Sequence, residues 1–317
     1  MQTRTFQTTA NGWSLELKQS TPARPPPPGQ PPVLIIPGYG MNDFIFRFHP
    51  TGTSLIGHLV EGGLEVWSAN LRGQGSSRPT QRAAPPYGLA ELALEDLPEA
   101  IRFILEQTGA ERIDLIGCSL GATVAYGYLA HHPDAPVRAM VSMGGPLRWP
   151  TVHPLLQIAF RSERLAGALP IRGTRRLARL ALPIARRIPP LLLIYATPWR
   201  IDLSQADALV QTVEDPTRQL NAELARWFRT RDLILCGVDV TAALGATSRP
   251  MLCVFGVHDG IVPADAALAV RDAMPEGDVE VLAVGDAKRR YAHADLFISE
   301  GVQEDVFEPM LRWLYPR

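Results

Sequence analysis

The chain has 317 residues, 46% of them hydrophobic and 20% charged, with a formal net charge of −1 at pH 7. That length accommodates one large domain with an insertion, and the composition is that of an ordinary globular enzyme. The near-zero charge excludes a global pull toward nucleic acid or an anionic surface. No run approaches ~20 apolar residues, so no transmembrane span is expected. Lys18 and Lys288 are the only lysines among many arginines. The three cysteines, Cys118, Cys236 and Cys253, leave at least one unpaired and match no metal spacing. A reducing, cytoplasmic setting is the default expectation; Met1 to Phe6 lack a signal-peptide core, although a mature exported form would look the same.

In chain order, residues 3–20 alternate well enough to form two short antiparallel strands around Asn11-Gly12. Thr21 to Pro32, with Pro25 to Pro28, reads as an extended surface connection. Residues 33–37 and 64–70 are parallel strands. Residues 91–108 fit an amphipathic helix, with Leu94, Leu97, Ile101 and Ile104 at helical spacing. Pro98 falls inside it, so the helix kinks there or begins near Leu97. Ile113 to Ile116 is a short β-branched strand, and Ala122 to Ala130 is a helix ending at His131-His132-Pro133. Between them, Gly117-Cys118-Ser119-Leu120-Gly121 spells G-x-S-x-G. A serine on so sharp a strand-to-helix turn is held out of the sheet at a helix N-terminus, which marks Ser119 as a nucleophile.

Val137 to Met143 is the next strand, and about a hundred residues without strand–helix alternation follow it. From Arg161 to Arg187 this stretch holds eight arginines and one acid, Glu163, interleaved with Leu165, Leu169, Ile171, Leu177, Leu180, Leu182 and Ile184. Two readings stay open: an amphipathic face that meets lipid, or helices whose arginines face water while the leucines pack inward. Pro189 to Tyr195, Trp199, Trp227 and Phe228 are candidates to line an acyl pocket or simply to fill the core. The strand Met251 to Gly256 then runs into Val257-His258-Asp259-Gly260, a helix spans Ala264 to Met274, and a last strand covers Val279 to Val284. Asp259 sits just beyond a strand end, where open α/β sheets place their chemistry. His293 follows the last strand and precedes a terminal helix ending at Trp313-Leu314-Tyr315.

Ser119, Asp259 and His293 stand in the chain order of a nucleophile-elbow enzyme. The elbow, the G-x-x-D-x-x-x-P segment from Gly256 to Pro263 and the late His293-Ala294-Asp295 resemble the α/β-hydrolase superfamily over nearly the whole chain outside the middle stretch. More distantly they are similar to acid-lipase-like and polyhydroxyalkanoate-synthase-like members. The synthases carry cysteine at the elbow centre, where this chain has serine.

The resemblance implies an α/β fold with a mostly parallel, roughly eight-stranded sheet flanked by helices. Residues 1–146 and 250–317 would form the core and residues 147–249 a mainly helical cap. Leu71 to Ser77 resembles the family's R-G-x-G-x-S turn, a structural element. The oxyanion hole needs two backbone N–H groups: that of Leu120, and that of Tyr39 in the loop Pro37 to Asn42, which matches the family's H-G-x segment with proline replacing histidine. Gly40 or Met41 serves instead if the loop is offset. Gly38 and Gly40 both permit positive φ there, and Gly38, Gly40 and Met41 are the expected substrate-side residues. Asp295 is a second candidate for the orienting acid, but it lies only two residues from His293 and has little reach. Cys118 is expected to point into the sheet, His258 to shape the pocket mouth, and His131 and His132 to lie at a helix end without a third metal ligand nearby.

The chemistry implied is acyl transfer through a covalent intermediate, with neither metal nor organic cofactor. The substrate would be a small-molecule or lipid-like ester, with peripheral lipid contact through the cap. Two other functions fit the same residues: an acyltransferase or polyester synthase, and a non-catalytic hydrolase-like binding protein. A haloalkane dehalogenase would want a carboxylate at Ser119.

Overall fold

The computed structural model describes residues 1–82, 86–168, 173–185, 192–275 and 277–315, and of residues 181–185 the backbone alone. Leu169, Ile171 and Pro189 to Leu191, named above, lie outside the described residues, as do the side chains of Leu182 and Ile184. Eight strands make one sheet: β1 (Gln2–Ala10), β2 (Trp13–Thr21), β3 (Val33–Ile36), β4 (Val66–Asn70), β5 (Ile113–Cys118), β6 (Val137–Met143), β7 (Met251–Gly256) and β8 (Val279–Val284). Their order is β1-β2-β4-β3-β5-β6-β7-β8, with the two-residue strand Arg78–Pro79 set against β2. β1 and β4 each run antiparallel to β2, and every later pair is parallel. The hairpin turns at Asn11 and Gly12, with φ of 37° and 82°, and this double positive φ matches the twist of the flanking strands.

The parallel strands are buried on both faces, and their side chains alternate between two cores. Leu34, Ile36, Leu115, Cys253 and Phe255 enter the core under α2 (Leu97–Thr108), α3 (Leu120–His131) and α8 (Ala264–Ala273). Val33, Ile35, Ile116, Leu252 and Val254 enter the other, under α1 (Leu55–Glu61) and α9 (Glu308–Leu314).

The α-helix within the expected stretch 91–108 begins at Leu97, one of the two outcomes expected of Pro98, and what precedes it is irregular. A short helical turn, Leu89–Glu91, passes into a widened π-turn, Leu92–Asp96, in which the Leu97 N–H reaches back to the Leu92 carbonyl. Pro98 then sits in the first turn of α2, where its missing N–H is not needed. The C-terminus repeats the device: a π-turn at Gln303–Phe307 leads into α9, with Pro309 in its first turn.

Between β6 and β7 lie α4 (Pro154–Ala159), α5 (Glu163–Ala168), α6 (Thr174–Ala185) and α7 (Arg218–Thr230), together with shorter helical turns. A two-stranded hairpin, Ile234–Leu235 with Val238–Asp239, adds strand pairing that the sequence did not lead us to expect. Among the described residues no helix is long and apolar enough to cross a membrane.

A buried polar network anchors the loop after β3. Asp43 accepts hydrogen bonds from Lys18 Nζ at 2.9 Å, Arg47 Nε at 2.7 Å, Ser68 Oγ at 2.8 Å and Asn70 Nδ2 at 2.8 Å. Burial pushes its carboxyl up, but the Arg47 and Lys18 cations outweigh that and hold it below the usual aspartate range. A depressed folded pKa means stability that is present above the unfolded pKa and lost as pH falls below about 4. Asp43→Ala is expected to cost about 3 kcal/mol at neutral pH, because it takes the carboxylate from Arg47 and leaves Lys18 with Glu16 alone at 3.5 Å, and to flatten that acid-side loss. Urea denaturation across the acid range measures both.

Candidate active site

Ser119 is the single residue between β5 and α3, with φ 52° and ψ −121°, a strained conformation for a residue with a side chain. Its N–H donates to the Met143 carbonyl at 2.8 Å, and its carbonyl accepts from Ala122 N–H at 3.0 Å. The flanking glycines are required by space. A Cβ on Gly117 would stand 2.4 Å from Ala122 Cα, and one on Gly121 would stand 2.4 Å from the Ile36 carbonyl oxygen. Cys118 is buried in the opposite core, and burial pushes its thiol up, away from the reactive thiolate.

His293 Nδ1 lies 2.6 Å from Asp259 Oδ2, both side chains being almost wholly buried. The other carboxylate oxygen of Asp259 accepts from Ile261 N–H at 2.8 Å and Val262 N–H at 2.9 Å. Those three contacts fix the carboxylate and, through it, the orientation of the imidazole. Gly144 gives the ring room, since a Cβ there would stand 3.1 Å from His293 Cε1. Asp295 faces elsewhere: its carboxylate accepts from Thr197 N–H at 3.0 Å, Thr197 Oγ1 at 2.5 Å and Ala292 N–H at 2.7 Å.

The loop after β3 packs over the elbow. Gly40 has φ 62°, whereas Gly38 does not have positive φ. Gly38 is needed for proximity instead, as its Cβ would stand 2.9 Å from Ser119 Cβ. Tyr39 Oη donates to Asn221 Oδ1 at 2.5 Å, and burial pushes its phenol far up. Met41 bridges to Val213, and the Gly40 carbonyl accepts from Glu214 N–H at 2.8 Å, so the segment after β6 braces this loop. The N–H groups of Leu120 and its neighbours open α3, whose first turn has no intrahelical acceptors.

Ser119, His293, Tyr39, Leu120 and Met41 all line one cavity of about 240 Å³. Its far wall is Trp149, Leu156, Phe160, Leu224, Trp227 and Phe228, and among the described residues no Arg, Lys, Asp or Glu lines it. Trp149 meets Trp227 and Phe228 edge to face, at 5.4 Å and 4.6 Å between ring centroids. Of the expected acyl-pocket residues Trp227, Phe228 and Tyr195 are present. Trp199 is not: it is 65% exposed on the surface. His258 does not line the cavity either; its main-chain N–H donates to the Tyr291 carbonyl, and burial and Arg290 push its imidazole down. His131 Nε2 lies 3.0 Å from the Leu235 carbonyl oxygen and His132 packs on Tyr128. Among the described residues no cluster of His, Cys, Asp and Glu could hold a metal ion.

Sequence reasoning missed a strap, residues 192–200. The Ile194 carbonyl accepts from Gly260 N–H at 3.0 Å and the Tyr195 carbonyl from Ala294 N–H at 2.8 Å, each next to a site residue. Arg200 stacks on Tyr291 at 4.1 Å and donates to the Arg290 carbonyl. With the Asp295–Thr197 contacts, these bonds tie the strap to both the Asp259 loop and the His293 loop. Nothing in the local sequence pairs Thr197 with Asp295; the link is visible only once the chain is folded. Asp295→Asn places an amide N–H against a donor, and is expected to lower stability by about 2 kcal/mol in chemical denaturation.

A family model for the alpha/beta hydrolase fold matches residues 31–289. Human lipase member K is 36% identical over 82 residues, 24% of this chain and 21% of that protein, so the match spans about a fifth of the lipase. Homoserine O-acetyltransferase of Deinococcus radiodurans is 28% identical over 284 residues, covering 78% of this chain and 81% of that one. Among solved structures, a hydrolase from Pseudomonas aeruginosa superimposes with a TM-score of 0.64 at 19% identity, covering 98% of each chain. An esterase from a Rhodococcus species gives a TM-score of 0.64 at 16% identity, covering 99% of this chain and 98% of that one. At those identities the structures share the fold. The chain belongs to the alpha/beta hydrolase fold family.

Proposed function

We propose that the protein is a serine hydrolase of carboxylic esters with an apolar acyl group. The observation that carries this reading is the buried Asp259–His293 pair, whose histidine lines one apolar cavity together with Ser119. Ser119 Oγ attacks the ester carbonyl as His293, oriented by Asp259, takes its proton. The Leu120 and Tyr39 N–H groups hold the oxyanion, at the end of a helix whose dipole favours negative charge. His293 then protonates the leaving alcohol and activates the water that releases the acid. Residues 147–249 act as a cap, supplying most of the acyl wall.

The Deinococcus relative's name makes acyl transfer the nearest alternative. Homoserine carries an ammonium and a carboxylate, and burying both without charged partners is costly. The apolar lining among the described residues therefore favours water, or an apolar alcohol, as acceptor.

Ser119→Ala is expected to cut p-nitrophenyl ester turnover on the order of 10⁴-fold or more and to abolish fluorophosphonate labelling, with thermal unfolding retained. Folded wild-type protein that neither labels nor turns over would favour the binding-protein reading. Trp227 lines both the cavity and a second depression behind α7 with Leu89, Glu223 and Ile234. Trp227→Ala is expected to raise the ratio of long-chain to short-chain kcat/KM by about ten-fold, and Trp227→Phe much less.

A further inference from the structure

Eleven large hydrophobic side chains are exposed among the described residues, and seven of them fall between Leu155 and Trp199. In α6, Leu177 and Leu180 are 64% and 71% exposed and lie three apart, on one helix face. In α4, Leu156 points to the cavity while Ile158 is 65% exposed, so this turn is apolar on two sides and only one is covered. Tyr195 lines the cavity and is also 40% exposed, so one cavity residue belongs to this exposed set. Exposed apolar side chains concentrated in one segment of the chain point to an interaction site.

Its charge says what kind. Residues 154–185 contain six arginines and one acid, Glu163. Glu163 is already held by Arg226 and Arg229 of α7. Arg161, Arg164 and Arg176 have no acidic partner among the described residues. A second copy of the chain would set these cations against themselves across a two-fold axis. We propose that this face docks on an anionic phospholipid surface, with the leucine and isoleucine side chains at the acyl boundary and the arginines on the lipid phosphates. Trp199, four residues beyond Tyr195 and also exposed, suits the headgroup level. Docked in this way, the protein opens its cavity toward the layer from which an apolar ester would enter. The docking goes beyond the hydrolase reading and holds whichever acceptor ends the reaction.

Flotation of the Ser119→Ala protein with vesicles tests this without consuming lipid. Binding to equimolar phosphatidylcholine and phosphatidylglycerol is expected, with little binding to phosphatidylcholine alone and steep weakening by salt. Each surface arginine is worth roughly five-fold in partitioning, so R161Q/R164Q/R176Q is expected to weaken binding on the order of 100-fold. L177D/L180D should also abolish it. Both variants alter exposed positions, and circular dichroism checks their folding. Equal binding to neutral and anionic vesicles, or variants that bind like their parent, overturns the proposal. So does a dimer in sedimentation velocity that L177D/L180D converts to monomer with no vesicle binding. A soluble fluorophosphonate labels Ser119 of the wild type without lipid, so a failure of the hydrolase reading is read separately.

Discussion

Everything at this site depends on the positive φ of Ser119. The turn is strained for any residue with a Cβ, and it persists because its surroundings leave no other path. β5 is locked between β3 and β6, α3 begins one residue later, and the chain before and after leaves no room for a Cβ at Gly117 and Gly121. Crowding also explains Gly38, whose missing side chain lets the loop after β3 settle over the serine. The strained geometry is thus a product of close packing by a rigid sheet, and the folding free energy of that sheet holds it.

The second constraint is the burial of ionisable groups. Asp259 and His293 lie under the chain that follows β6, and the carboxylate survives there because each of its oxygens has donors. Asp295 is more isolated, since its three donors are all neutral. A buried carboxylate without a cation is costly, and hydrogen bonds of charged character offset that cost. Its position one residue from the His293 loop's turn makes it a fixed point from which the loop's backbone is measured.

Much of this was legible in the sequence. The parallel strands announce themselves as short apolar runs, and their alternation between two cores follows from burial on both faces. The elbow is legible because G-x-S-x-G states a steric requirement in residue types. What was hidden involved either backbone detail or distance along the chain. Pro98 signalled trouble in a helix, but a π-turn is one of several ways to absorb it. Gly38 and Gly40 look alike as letters, yet one needs φ and the other needs space. Tyr195, Thr197 and Trp199 sit within five residues and end in three environments: a cavity wall, a buried carboxylate and the open surface. No local periodicity separates them, because their partners lie about a hundred residues away.

The strap has a consequence for how such a chain diversifies. The segment between β6 and β7 looks like a module that could be exchanged whole between relatives, with its seams at the sheet. Its middle part is instead woven into the loops that bear Asp259 and His293, and Val213 and Glu214 brace the loop after β3. A graft cut at the strands would carry away supports that the recipient's own loops were shaped around. The strap therefore has to stay with the loops it supports, and a crossover that leaves residues 192–214 with the parent sheet keeps those supports in place.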